Sequence, residues 1–336
     1  MEIVALDPAD DQAVRGCEAV WGAALDIDDA DGPRMTGQVL AAWLRQGFIA
    51  DPAEAWLIPG TAPGSVVGWY RLELPDLENL DRAELLIVVD PAARRLGLGQ
   101  DLLRHAAQRA AAVGRSVLGG SVRDGSAGDA FAAAVGAKPG MSEVLRRLDL
   151  RTVPAGKFAL LRAEATAAAT GYSLARWTGP TPPEYLESLA RVLNAFADAP
   201  HDEGYETGDW DGERVRERAD APHRAMGVRT YTIAAVHDAS GELAAMTQLS
   251  VAPDHPKWGH QGLTAVTRQH RGHRLGLLVK AAMLGWLAET EPAIERIETG
   301  NASANAHMIA VNELLGFEPD LPAFHTVELT VAEALA

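Results

Sequence analysis

Two stretches of this chain combine residue types and spacing that suit anion binding. Thr264 to Gly276, TAVTRQHRGHRLG, opens as a β-branched run, passes through a cluster of cations and closes on a Gly before an apolar helical pattern. Val88 to Gly99, VVDPAARRLGLG, has the same layout. A strand that turns tightly into a helix aims unpaired backbone N–H groups and the positive end of the helix dipole at one point, where an anion is favoured. In the later stretch Arg268, Arg271, Arg274 and Lys280, with His270 and His273, make a local basic island. The formal net charge of the chain is −16, so the island stands against an acidic background. That balance argues against a nucleic-acid partner and favours cationic ligands.

The elements that must position these turns follow from the hydrophobic pattern. A length of 336 residues suits two domains, each with its own core. The first half reads as a strand from Met1 to Asp7, helices at Asp11–Asp26 and Thr36–Gln46, and a hairpin of Ala55–Ile58 with Val66–Leu74. A strand at Glu84–Val89 then enters the first turn. Its helix carries Leu98, Leu102, Ala106, Ala110 and Val113 on one face, and Ser116–Val122, Asp129–Val135 and Val144–Leu150 complete a strand, helix, strand order. The pattern weakens over 151–170, which reads as a linker, and restarts at Tyr172. The domain division expected is therefore 1–150, linker 151–170, and 171–336. In the second half a helix at Glu184–Ala197 and an acidic segment at His201–Asp220 precede a hairpin of Tyr231–Val236 with Leu243–Val251. The strand Leu263–Thr267 then enters the second turn, followed by Leu277–Glu289, Arg296–Thr299, Ala304–Leu315 and Thr326–Thr330. Val89 and Val266, Arg94 and Arg271, and Gly99 and Gly276 are each 177 positions apart, a duplication signal.

Composition narrows the class further. No apolar run approaches the ~20 residues of a membrane span, and MEIVALDPADDQ lacks the basic and apolar regions of a secretory signal. The single cysteine, Cys17, cannot form an internal disulfide, so a cytoplasmic protein is expected, acting as a monomer or homodimer with no membrane or nucleic-acid partner and no metal.

Arg94-Arg95-Leu96-Gly97-Leu98-Gly99 resembles the acyl-CoA pyrophosphate signature of the GNAT superfamily of N-acetyltransferases, [RQ]-x-x-G-x-[GA]. Asn305-Ala306-His307-Met308, Val311-Asn312 and Leu315-Gly316-Phe317 are similar to that superfamily's later motif, N-x-x-A-x-x-L-Y-x-x-x-G-F. The two copies cover nearly the whole chain, an arrangement similar to mycothiol synthases. The resemblance implies an α/β fold, two tandem mixed sheets flanked by helices, and acetyl-CoA as co-substrate. Each copy departs somewhere. Arg274 stands at the middle Gly of the second signature and Asn312 at the family's Tyr. In the first half Gly125, Ala132 and Gly136-Ala137 replace the later motif. The second domain is therefore expected to be catalytic and the first structural.

Acetyl transfer to an amine needs three things. The pyrophosphate is to be held at Arg271, Gly272, His273, Arg274, Leu275 and Gly276, and in the first copy at Arg94, Arg95, Gly97 and Gly99. The thioester carbonyl needs a strand N–H near Val266 or Thr267, or Val89 in the first copy, with Asn301 and Asn305 along the pantetheine arm. Proton transfer completes the set. An alkyl ammonium of pKa ~10.4 costs about 4.6 kcal/mol to deprotonate at pH 7, whereas protonating a thiolate of pKa ~8.5 gains only about 2 kcal/mol. The base therefore matters more than the acid. Asp254, His255 and His260 lie before the second turn, Glu206 and Asp209 in the acidic segment, and Glu84 on the first-copy strand. Asn312 is able to donate a hydrogen bond only, and Trp177, Trp210 and Trp258 are candidates for an acceptor pocket. The acceptor expected is a small cationic amine. An amino-sugar conjugate is the alternative, and a non-catalytic acyl-CoA sensor is the rival.

Overall fold

In the computed structural model, described at residues 2–198, 200–202 and 204–336 and without the side chain of Leu321, the chain forms two units. Unit 1 comprises Met1–Ser142, Asp202–Glu206 and Pro322–Ala336; unit 2 comprises Glu143–His201 and Thr207–Leu321. Unit 1 begins with β1 (Val4–Ala5), α1 (Asp11–Asp28), α2 (Gly37–Gln46), β2 (Ala53–Pro59) and β3 (Val66–Glu73). It continues through β4 (Arg82–Val89), α3 (Leu98–Ala112), β5 (Val117–Arg123) and α4 (Ala127–Ala134). β6 (Lys138–Asp149) passes into unit 2 at Glu143. There follow α5 (Lys157–Ala168), β7 (Tyr172–Thr178), α6 (Leu186–Asn194), α7 (Gly212–Arg214), α8 (Ala221–Ala225), β8 (Arg229–His237), β9 (Leu243–Val251) and β10 (Trp258–Val266). α9 (Leu275–Thr290), β11 (Arg296–Ala302) and α10 (Ala306–Leu315) lead to β12 (Glu318–Thr330), which re-enters unit 1 at Pro322 ahead of α11 (Val331–Leu335).

Each unit is a mixed sheet flanked by helices, the expected class. The strand order within unit 1 is β1-β2-β3-β4-β5-β12, and within unit 2 it is β6-β11-β10-β9-β8-β7. The last strand of each sheet therefore comes from the other half of the sequence. The expected boundary at 150 differs for this reason: residues 143–149 pair along the whole of β11, from Asp149 opposite Arg296 to Glu143 opposite Ala302. The expected linker at 151–170 instead contains α5, which begins after Gly156 in a left-handed conformation and packs Phe158, Leu161 and Ala165 on the α9 core. The strand expected from Met1 to Asp7 is short, Val4–Ala5, and Met1 lies outside the described residues.

Both sheets contain one parallel pair that opens. β4 and β5 pair from Arg82–Val117 to Glu84–Gly119, yet β4 runs on to Val89. β10 and β11 pair from Trp258–Arg296 to His260–Glu298, yet β10 runs on to Val266. Beyond these pairs the strands splay, exposing one backbone edge of the longer strand. In unit 2 a bulge between Gln261 and Thr264, at Gly262-Leu263, accentuates the bend. α9 is apolar all round and lies against β8, β9 and α5 in the larger core. On the opposite face Trp177, Met246 and Ala265 of the sheet pack with Leu189 and Val192 of α6 and with Val215.

Candidate active site

The two turns have the same backbone path. Arg271 is extended, Gly272 has φ +88° and Arg274 has φ +54°, after which α9 starts. In unit 1 Arg94 is extended, Arg95 has φ +67°, Gly97 has φ +87°, and α3 starts. Each turn thus needs two left-handed residues, and each copy supplies one Gly and one Arg at opposite positions. This explains how Arg274 occupies the place of the signature's middle Gly: the conformation is kept at the strain of one non-Gly residue. The first ladder bond of α9 runs from Leu278 N–H to the Arg274 carbonyl, so the N–H groups of Leu275, Gly276 and Leu277 lie outside the helix ladder. Those of Leu98, Gly99 and Gln100 do likewise, because Asp101 N–H bonds the Gly97 carbonyl.

The basic island is not the arrangement expected. Arg268 and Arg271 both pair with Asp198, at 2.7 and 2.6 Å, and hold its carboxyl below the usual range. Arg271 Nε also donates to the Val266 carbonyl at 3.3 Å, as Arg94 Nε does to Val89 at 3.4 Å. His270 Nδ1 bonds the Tyr172 hydroxyl at 2.8 Å, and burial with His237 and His273 nearby pushes its pKa down. Lys280 is 1 % exposed, inside the core, its Nζ 5.4 Å from the Phe317 ring, and burial pushes it down to about 7. It cannot reach a surface anion. Arg274 and His273 remain beside the backbone N–H groups.

Strand geometry fixes the direction of the Val266 N–H. Thr267 N–H donates to Ala244 on β9, so the preceding residue's N–H points to the other edge, into the splay. Asp90 N–H donates to Val67, and Val89 points into the unit 1 splay in the same way. Thr267 itself faces β9 with both its N–H and its hydroxyl, so of these two residues it is Val266 whose N–H points to the opening.

The linings of the two openings differ. On the helix-covered face of unit 1 they are apolar: Leu85, Ile87, Val89 and Leu118, with Phe131 of α4 lying 3.2 Å from a Cβ placed at Gly99. In unit 2 the corresponding face is polar. Gln261 Nε2 donates to Thr247 and to the Gln248 carbonyl, Thr247 bonds Thr264 at 2.7 Å, and Thr299 donates to the Gln261 carbonyl. Asn312, fully buried, donates to Asn301 at 2.7 Å. The side-chain oxygens Asn312 Oδ1 and Gln261 Oε1 are buried without hydrogen-bond partners among the described residues. Asn305 caps α10, its Oδ1 accepting the Met308 N–H at 3.2 Å, so its side chain is occupied locally.

The opposite face of the unit 2 sheet carries charge. His260 Nδ1 lies 3.6 Å from Glu298, and Arg147 lies 3.8 Å from Glu298. Glu143 on β6 reaches over Gly300, where an added Cβ would overlap its carboxylate, and burial raises its pKa. Behind them His223 bonds the Ala219 carbonyl through Nδ1 and is held low by burial. Sequence reading missed Glu143, because it assigned that strand to the first domain. The proposed bases Asp254 and His255 lie in the turn before β10, where the Trp258 N–H bonds the His255 carbonyl. Eight strand steps at ~3.3 Å put that end roughly 25 Å from Val266, too far for proton transfer at the splay. Glu206 belongs to unit 1, its carboxylate and backbone engaged by Asn79. Asp209 faces Arg214 through its carbonyl. Glu84 lies on the unit 1 sheet beside Arg82, its pKa raised by burial. Trp258 lies under Arg147 and Arg296, Trp177 stacks on Tyr185, and Trp210 is fixed by Asn194.

The comparisons with known proteins agree with this geometry. The acetyltransferase (GNAT) family profile matches residues 23–122. The mycothiol acetyltransferase of Mycolicibacterium paratuberculosis is 29 % identical over 261 residues, covering 76 % of this chain and 74 % of the relative. A tandem GNAT protein from the clavulanic acid biosynthesis pathway is 31 % identical, with a TM-score of 0.78 and 98 % of both chains covered. A GCN5-related N-acetyltransferase from Sphaerobacter thermophilus, 16 % identical with a TM-score of 0.68 over 98 % of this chain and 95 % of its own, shares the fold. The repeated turn, the two splayed sheets and these relatives together identify the chain as an acyltransferase of the GNAT superfamily, built as a tandem of two copies.

Proposed function

We propose that unit 2 carries acetyl transfer from acetyl-CoA to the primary amine of a small molecule, and that unit 1 is a structural copy. The observation that carries this reading is the pair of unpartnered buried oxygens, Asn312 Oδ1 and Gln261 Oε1, beside the unit 2 splay. A buried polar atom without a partner costs about 1–3 kcal/mol, so a native chain retains it where a ligand supplies the missing donor. The pantetheine arm of acetyl-CoA has amide N–H groups suited to such acceptors. The N–H groups of Leu275, Gly276 and Leu277 with Arg274 suit the pyrophosphate, and the Val266 N–H suits the thioester oxygen. Unit 1 has an equivalent turn but an apolar lining at its opening. The carboxylates Glu143 and Glu298 on the acceptor face support a cationic amine. The relatives called mycothiol acetyltransferases favour an amino-sugar conjugate as a second reading of the acceptor.

Calorimetric titration with acetyl-CoA and release of free CoA against a panel of primary amines test the reading. Binding with turnover on at least one amine is the expected result. Binding without turnover on any amine would replace transfer by acyl-CoA sensing, and no binding would remove both. Loss of binding in Arg94→Ala but not in Arg271→Ala would move the cofactor to unit 1.

A further inference from the structure

We infer that Glu143 is the general base that takes the proton from the acceptor ammonium, an assignment that rests on the reading of unit 2 as the transferring unit. β10 and β11 stop pairing at His260–Glu298, so Gly300 and Ala302 lie level with the open edge of β10. Glu143 is registered opposite Ala302 and its carboxylate lies over Gly300. That puts it at the mouth of the splay, on the face away from α9 and α10. Leu148 and Arg146 mark the other face of the same strand: Leu148 packs into the α9 core and Arg146 pairs with Glu313 of α10. A ligand whose thioester lies in the splay would thus meet an acceptor nitrogen arriving from the Glu143 side.

The site is shaped for this carboxylate. Gly300 has no side chain, and any Cβ there would displace Glu143. The neighbouring carboxylate of Glu298 has partners: the Arg147 guanidinium lies at 3.8 Å and His260 Nδ1 at 3.6 Å. Glu143 has no ion pair or side-chain hydrogen bond among the described residues, and the titratable groups facing it are Glu298 on the adjacent β11 and His260 on β10 beyond it. Burial raises its pKa, which makes the carboxylate a stronger proton acceptor than an exposed one.

The proton balance is simple. Glu143 accepts one proton from R–NH3+ and passes it to water. The freed nitrogen lone pair forms the C–N bond while the carbonyl π electrons move to oxygen, next to the Val266 N–H. As the carbonyl re-forms, the C–S bond breaks and its electron pair leaves on the CoA sulfur. The second proton leaving nitrogen passes through water to that sulfur. The products are the amide, free CoA thiol and one released proton, with no oxidant or reductant involved.

Glu143→Gln tests the assignment, with the primary alkylamine of highest wild-type turnover and with hydroxylamine, whose nitrogen is unprotonated at neutral pH. The expected result is a loss of about 100-fold or more in kcat/KM for the alkylamine, less than about tenfold for hydroxylamine, and unchanged acetyl-CoA affinity. Gly300→Ala, which displaces the carboxylate without removing it, is expected to give the same selective loss and serves if Glu143→Gln does not fold. Alkylamine turnover within about threefold of wild type in both variants would overturn the assignment, and so would equal losses with both acceptors. A wild-type protein that binds acetyl-CoA but acetylates no amine overturns the transfer reading itself, a result distinct from either.

Discussion

Replacing Lys280 by Met removes a buried ammonium from the core of unit 2, and the gain in stability should depend on pH in a defined way. The side chain is 1 % exposed, has no ion pair or hydrogen bond among the described residues, and is lowered by burial from 10.5 to about 7. Between those two values the unfolded chain binds a proton that the folded chain does not, so the stability of the wild type rises with pH across this window. Below about pH 7 the penalty is fully present; toward pH 10.5 it vanishes. With a folded value of about 7 the penalty is about 4 kcal/mol at pH 7 and about 2 kcal/mol at pH 9. Met has a similar length and no charge, and fits beside Phe317. Urea unfolding of wild type and Lys280→Met, followed by tryptophan fluorescence at pH 7 and pH 9, reads the difference. The variant should be more stable at both, with the gap narrowing by about 2 kcal/mol at the higher pH. A gap independent of pH, or a wild type more stable at pH 7, would mean that the ammonium is charged and paired, and the burial argument would be wrong.

Three further outcomes are expected. Asp198→Asn frees Arg268 and Arg271 and should tighten acetyl-CoA binding about two- to fivefold at low salt, because exposed pairs of this kind are weak and screened; calorimetry at two ionic strengths should show the gain shrinking as salt rises. Arg274→Gly relieves a left-handed non-Gly residue and should stabilise unit 2 by about 0.5–1 kcal/mol in chemical denaturation, since the strain of roughly 1–2 kcal/mol exceeds the added chain entropy of Gly. Asn312→Leu removes one unpartnered oxygen but strands Asn301, so the free protein should stay within about 1 kcal/mol of wild type. Its acetyl-CoA affinity should fall about five- to tenfold, the equivalent of one hydrogen bond.

Local chemistry was legible in the sequence and chain exchange was not. The offset of 177 located both turns, and the structure gives both the same two left-handed positions. What the spacing hid is that the strain is carried by Arg95 in one copy and by Arg274 in the other. Lys280 read as part of the basic island because it follows Arg274 closely in sequence, but on an apolar helix that position faces the core. α5 was missed because Lys157–Ala168 is Ala-rich and shows little contrast between its faces. The start of β10 was missed because Trp258–Gly262, WGHQG, holds two Gly and two polar residues and lacks the apolar alternation of a strand. Glu143 was out of reach for a topological reason. A strand that directly follows the elements of one domain was assigned to it, whereas its backbone pairs with β11, with Glu143 opposite Ala302 far later in the chain. The comparison of faces that sets Glu143 against Gly300 exists only once that register is known.

Amide hydrogen exchange with and without acetyl-CoA tests the central claim most directly, because the cofactor is proposed to rest on backbone N–H groups that lie outside the helix ladder. Slower exchange is expected in the segment from Arg271 to Leu278 and at Val266, with the segment from Arg94 to Asp101 unchanged. Protection confined to Arg94–Asp101, or absent from both turns at saturating acetyl-CoA, would contradict it.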